Sequence, residues 1–429
     1  MVTLVANPWG LAILAAVAIV LSIALAASWP RVSITLWIAL LPVQLDTMEA
    51  IGYRFSPADV VLMGLLVRLV ALRSLWKGSI WKGSINGPVR AAILLLIWLT
   101  GAAARGIVNA ESIATHFVAI KLVGLASLIL SLMMVSQLPR ALGISTSQMH
   151  RCYLFTGSAW NFVGLIAIGA HKHVEILELM VFAPGMEDRL RGLLVDPNAY
   201  GGYLSSVALL QLVRLTRNES ATWGGPLNLA ALLLGIALAD SRSAWLGFGC
   251  GALALAALDK RLMTRKVLAT LAVLIGVAIS SAMLLSPDTN SGYEAMMRNH
   301  AIQVRLGLAQ VAASSFSSAP IAGVGLGRFS SLPGSGGAVA HSTYLWLLAE
   351  TGLIGLILLL ATIFSLGSVS RTSPPSDRTQ ILFGTVTLAS WVGLMIGIEA
   401  LYQRHYWFVS GALCEDYEQT PDYCHKKGA

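Results

Sequence analysis

Long, nearly uninterrupted apolar runs follow one another along the whole chain. They fall at about 8–28, 31–45, 57–73, 88–104, 113–137, 151–170, 196–213, 226–239, 243–258, 266–285, 341–369 and 379–400, with a shorter one at about 404–413. A helix needs about 20 apolar residues to cross the hydrocarbon core, where it satisfies its own backbone groups. A transmembrane barrel would alternate apolar and polar residues in segments of roughly ten, and this chain does not. The expectation is an all-α polytopic membrane protein of about 12 transmembrane helices. Charge agrees. Only 12% of the 429 residues are charged, about half of the roughly 25% that soluble domains carry. That deficit excludes a soluble enzyme, a nucleic-acid-binding domain and a chain with a disordered tail.

The net charge of +8 resides mainly in the connections. Basic connections at 73–90 (Arg73, Lys77, Lys82, Arg90), 138–151, 214–217, 259–266 and 371–378 are expected on the cytoplasmic side. The basic balance therefore implies no nucleic-acid partner. These connections alternate with 105–112, 171–195, 240–242 and 286–340, which are expected outside. The alternation leaves the side of residue 1 open. Either an early run is re-entrant, or the first two, joined only by Trp29-Pro30-Arg31, do not both cross. No Lys or Arg precedes the first run, so it reads as a first spanning helix and not as a cleaved signal. Cys152, Cys250, Cys414 and Cys424 form no metal-binding spacing.

Two external segments are polar. Residues 171–195 hold His171, Lys172, His173, Glu175, Glu178, Glu187, Asp188, Arg189 and Arg191. Residues 286–340 form a long insertion whose first half, Tyr293 to Phe316, has helical apolar spacing and whose second half is rich in Gly, Ser and Pro. Insertions of that length are usually functional.

Arginine presents a planar fork that suits phosphate oxygens and is costly at membrane depth. Arg191, Arg242, Arg298 and Arg305 all sit near the external ends of runs. Arg191 lies five residues before Asp196-Pro197-Asn198, where Asp196 suits an N-cap and Pro197 a first helical turn. Arg298 and Arg305, seven apart, share a helix face. Each arginine reads either as an anion ligand or as a headgroup anchor. His341 opens the last long external boundary. At a helix N-terminus its ring stays neutral and can take a proton from a hydroxyl; the bland alternative is a bond to a backbone carbonyl. Glu350, nine residues on, lies about half a turn away on an ideal helix, so it reads as a structural partner for a buried polar group. Lys121 and His116 share an apolar run and could face a cavity, or Lys121 could snorkel. Gly323-Val-Gly325-Leu-Gly327 lacks the setting of a dinucleotide motif and reads as a tight turn. His171 and His173 have no third ligand spaced to join them. No acidic pair suits a Mg²⁺–nucleotide sugar, and no P-loop exists. The expectation is no metal and no cofactor.

In order, several stretches resemble the O-antigen ligase/polymerase family of bacterial inner-membrane glycosyltransferases. They are Arg191-Gly-Leu-Leu-Val-Asp196-Pro-Asn198, Ala239-Asp-Ser241-Arg242-Ser-Ala-Trp245, Arg305 in the loop helix, Pro320-Ile-Ala-Gly323-Val-Gly325-Leu-Gly327-Arg-Phe329, His341-Ser-Thr-Tyr344 with Ala349-Glu350-Thr-Gly352, and Arg404-His-Tyr-Trp407-Phe-Val-Ser-Gly411. The resemblance covers about 185–412; the first 180 residues match only as generic spans. One departure is Ser342, where the family usually has Asn after its loop histidine.

The resemblance implies a GT-C-like membrane glycosyltransferase architecture with a large helical periplasmic loop. The bundle would occupy 1–285, the periplasmic loop 286–340, the C-terminal spanning helices 341–413 and a polar tail 414–429. It also implies a donor glycan on undecaprenyl diphosphate, a lipid A–core acceptor for ligase members or a second repeat unit for polymerase members, and chemistry without metal. A single Arg-x10-Gly spacing, Arg191 to Gly202, leans toward ligase, because polymerases often show two. Read with the residues, His341 would be the base. Arg191, Arg242 and Arg305, with Arg298 as a weaker fourth, would hold the diphosphate. Asp196, Asn198, Tyr344, Glu350 and Lys121 would support them. The competing classes are a secondary transporter, which would show intramembrane charges and broken helices, and a lipid-linked oligosaccharide flippase, which has no need of a base at His341.

Overall fold

The computed structural model describes residues 8–47, 53–75, 87–108, 112–171, 173–182, 189–219, 224–259, 292–372 and 378–417. The run expected to span at 266–285 lies outside the described residues. Among the described residues, two short antiparallel ribbons, Leu45–Thr47 with Tyr53–Phe55 and Val181–Phe182 with Arg189–Leu190, interrupt the helices.

Helices occupy the described apolar runs, but not all of them are long enough to span. Gly87–Val108, Val118–Gln137, Thr146–Ala170, Thr343–Val369 and Arg378–Gly397 are long and apolar enough to cross a membrane. Pro30–Leu40, Gly224–Leu238 and Arg242–Leu258 are shorter, at 11, 15 and 17 residues. At 1.5 Å per residue, the first of these reaches only about 16 Å, half a hydrocarbon core. The chain is a multi-pass membrane protein, with fewer clear crossings among its described residues than its apolar runs suggested.

The helices form one bundle with two polar ends. At one end Arg31 Nη2 reaches Leu142 O at 3.5 Å, Arg217 pairs with Asp259 at 3.0 Å, and Thr379 bonds Glu219 at 2.6 Å. At the other, Arg404 holds Asp59 through both forks (2.9 and 2.6 Å), Gln44 N donates to Leu193 O, and Thr343 N donates to Ile398 O. The joint between the helices Pro8–Ser28 and Pro30–Leu40, at Trp29–Arg31, lies at the first end.

Small residues let the helices close up, as lipid-embedded packing requires. Gly247 and Gly251, four apart on Arg242–Leu258, face the Arg378–Gly397 helix. A Cβ on Gly247 would lie 2.9 Å from Ser390 O, and one on Gly251 would lie 2.9 Å from Val386 O.

The helix that starts at Thr343 is broken. Gly352 has φ 69°, and the turn after the loop helix Gly292–Ser318 fills the gap. Leu353 N donates to Pro320 O and Ile354 N to Ile321 O, while Val324 N donates to Ala349 O and Gly325 N to Glu350 O. Four orphan groups at the break are thus satisfied by the inserted turn, and Trp98 Nε1 donates to Thr351 O, as a helix break inside a bundle requires. A Cβ at Gly352 would overlap Ile321 O. Gly352→Ala is expected to destabilise the fold by about 1–3 kcal/mol from its left-handed backbone alone, with the overlap adding to that. An unchanged unfolding midpoint in detergent would contradict the inserted turn.

Candidate functional site

Three helix N-termini open at the end of the bundle that holds Arg404 and Asp59. Asp196 caps Pro197–Thr216, its Oδ1 accepting from Asn198 N (2.9 Å) and Asn198 Nδ2 (3.0 Å), with Pro197 in the first turn. Ser241 caps Arg242–Leu258, accepting from Ala244 N at 3.2 Å. Thr343, two residues after His341, donates through N and Oγ1 to Ile398 O at 3.1 and 2.8 Å, and its Oγ1 accepts from Ala400 N. Each N-terminus carries a partial positive charge suited to an anion.

His341 is exposed at this end. Its ring titrates below the ordinary histidine range, first because partial burial penalises the imidazolium. The Arg305 guanidinium opposes protonation further, while the Asp196 carboxylate pulls the other way. Residues more than a hundred positions apart therefore meet in one electrostatic neighbourhood. The neutral ring is the form that can accept a proton.

The other expected residues fall as follows. Arg305 and Arg242 are exposed, Arg242 at the start of its helix. Arg191 is half-buried, and its Nε donates to Leu179 O at 3.1 Å. Arg298 lies two helical turns before Arg305 on the loop helix, and its side chain is outside the described residues. Tyr344 donates its hydroxyl to Val392 O at 2.9 Å, which pins the start of its helix to Arg378–Gly397.

Glu350 is fully buried and takes no direct part at His341. Its Oε2 accepts from Gly327 N at 2.7 Å and its Oε1 from Phe329 N at 2.9 Å. Lys121 Nζ lies 3.4 Å from that Oε1, 3.9 Å from Glu399 Oε1 and 5.0 Å over the Trp346 ring. Burial pushes the Glu399 carboxyl up to about 7, with Lys121 lowering it and Glu350 raising it. The Gly323–Gly327 segment is a tight turn, with φ of 69°, 112° and 80° at its three glycines.

Arg189 is the residue the sequence reading passed over. Its Nε and Nη2 donate to Ala239 O (3.2 and 3.1 Å), and its Nη2 also donates to Asp240 O (2.9 Å) and reaches Asn198 Oδ1 at 3.4 Å. It thereby ties the turn that presents Arg242 to the helix capped by Asp196. Asp240 in that turn is left-handed, φ 44°. The available signal was the two-residue link between Leu238 and Ser241: a helix ending so abruptly leaves carbonyls that need a donor. Gly202, by contrast, has a packing reason. A Cβ there would lie 2.7 Å from Leu394 Cδ2 and 2.8 Å from Gln403 Oε1. Among the described residues, no group of three or more His, Cys, Asp or Glu is placed to hold a metal ion.

Residues 227–360 match the family model described as O-antigen ligase. That part of the chain is similar to the O-antigen ligase family. The match covers about a third of the chain and contains Arg242, Arg305, His341, Tyr344, Glu350 and the break at Gly352. Arg189, Arg191, Asp196, Asn198 and Lys121 lie outside it, yet Lys121 pairs with Glu350 inside it and the Asp196 carboxylate bears on the His341 ring. No curated protein matches the chain.

Proposed function

We propose that this chain acts as an O-antigen ligase, transferring a glycan from undecaprenyl diphosphate to a lipid A–core sugar at the periplasmic face of the inner membrane. The acceptor hydroxyl oxygen attacks the anomeric carbon and gives its proton to His341. The bond from that carbon to the diphosphate breaks, and the electron pair leaves with the lipid diphosphate. Direct attack inverts the anomeric configuration. Arg191, Arg242 and Arg305, with Arg298 as a weaker fourth, offset the charge that builds on the leaving oxygens, an effect strongest in preorganised sites. Asp196 and Asn198 hold the helix end beneath them, and Tyr344 fixes the helix that carries His341. The donor bond supplies the driving force, so neither nucleotide nor metal is needed. On this reading the chain crosses the membrane about twelve times in a GT-C-like arrangement, with 286–340 as the periplasmic loop.

One observation carries the reading: the helices that begin at Asp196, Ser241 and Thr343 open at one end of the bundle, bringing Arg242 and His341 to the same boundary, where the Arg305 and Asp196 charges bear on the His341 ring. The broken helix and the buried Lys121–Glu350 pair are features a transporter would also show. Here the broken ends are bonded to the chain's own turn.

Purified protein in detergent, where no vectorial transport is possible, should be given lipid-linked glycan with lipid A–core or with a second donor molecule. Core-linked glycan, undiminished by EDTA, is expected. Lengthened glycan on the diphosphate would make the chain a polymerase, and no product with either acceptor would end the transferase reading.

A further inference from the structure

The loop helix Gly292–Ser318 carries Arg305, and the half-helix Thr343–Thr351 follows His341. Their mutual placement is set by the burial of Leu308 and Ala312 along the loop helix and by the clamp at its other end. There the turn 320–327 enters the break at Gly352 and bonds to both half-helices. Glu350 closes the assembly from inside. Its two oxygens take the N–H groups of Gly327 and Phe329, and Lys121 sits against Oε1. Arg105 anchors the same turn through Ala322 O, and Leu326 N donates to Ala102 O.

From this geometry we infer that Lys121 and Glu350 are positioning residues that set where Arg305 meets His341. The inference rests on the transferase reading given above. The loop helix works as a lever. Arg305 stands thirteen residues from Ser318, about 20 Å at 1.5 Å per residue. A tilt of about 10° at the clamp would then move the Arg305 backbone by about 3.5 Å, more than a hydrogen-bond length. Misplacement by about 1 Å is enough to cost a reacting geometry about 10²-fold. Lys121 matters because Glu350 has no exposure. Removing Lys121 would leave a buried charge without its countercharge, which weakens the clamp that holds the two N–H groups.

The test uses Lys121→Met, Glu350→Gln and the conservative Lys121→Arg in the full chain. Lys121→Met and Glu350→Gln are expected to lower kcat for transfer at least tenfold with donor KM changed less than threefold. Lys121→Arg should restore most of the rate. Among the described residues, two charged groups bear on the His341 ring, Arg305 and Asp196. Swinging Arg305 away removes an influence that opposes protonation, so the acid limb of the rate profile should move to higher pH in both disabling variants. A variant that merely folds poorly would lower the amplitude and leave the limb in place; that outcome, or a parallel loss with Lys121→Arg, overturns the inference. An activity-independent measurement separates this from the transferase reading. Spin labels at the exposed positions Gln303 and Ile357, in a background without other cysteines, should show a distance distribution shifted or broadened by about 3 Å or more in Lys121→Met, in keeping with the lever. An unmoved distribution ends the lever whatever the protein catalyses, and a moved one in a chain without transfer ends only the transferase reading.

Discussion

His341→Ala is expected to reduce glycan transfer by about 10²- to 10⁴-fold, the contribution of a positioned general base. The donor should still bind, because the diphosphate is held by arginines and helix N-termini and not by the imidazole. The residue is exposed and makes no described core contact, so the unfolding midpoint in detergent should stay within about 0.5 kcal/mol of the parent, the usual range for surface substitutions. Single-turnover transfer and donor affinity measured on the same preparation decide the matter. Lost affinity with intact chemistry would reassign His341 to the bland role of an interfacial hydrogen-bonding residue. Full activity would remove it from the reaction altogether.

Arg305→Ala is the second large effect. Removal of one preorganised donor from developing negative charge typically lowers kcat by about 10²–10³-fold, and Arg305 should fall in that range. It should also alter the pH profile. Arg305 helps hold the His341 ring below its ordinary range. Without that charge the ring gains protons at higher pH, and the protonated ring cannot act as a base. The acid limb of the transfer rate must therefore move upward in pH, while the loss persists on the plateau. Arg305→Lys keeps the charge and should leave the limb in place, with part of the rate lost because an ammonium lacks the planar fork. A limb that does not move in Arg305→Ala would separate the arginine from the histidine. A rate that does not fall would remove Arg305 from the diphosphate.

The helical elements were readable in advance where periodicity and length speak clearly. Tyr293 to Phe316 has helical spacing, and the loop helix runs Gly292–Ser318. Asp196 and Pro197 carry the chemistry of a helix start, and they form one. The glycines of 323–327 need left-handed backbone, and they adopt it. Spanning was less readable. An apolar run does not reveal whether lipid or other helices surround it, and Pro30–Leu40 is too short to cross by itself. Arg189 escaped notice because its value lies in backbone carbonyls fifty residues away, which no local pattern announces. Glu350 read as a partner for something buried. What it holds, two N–H groups and Lys121, depends on a turn threading a helix break.

By itself the sequence determined the solvent this chain lives in, its helical character and the polar boundary where its arginines and His341 lie, because hydropathy, helix caps and glycine backbone preferences are local. Only the tertiary structure decided which of those residues share a field. The distance from Asp196 or Arg305 to His341 is set by the packing of three separate helices and by one clamped turn, and packing between remote segments leaves no periodic trace along a single chain.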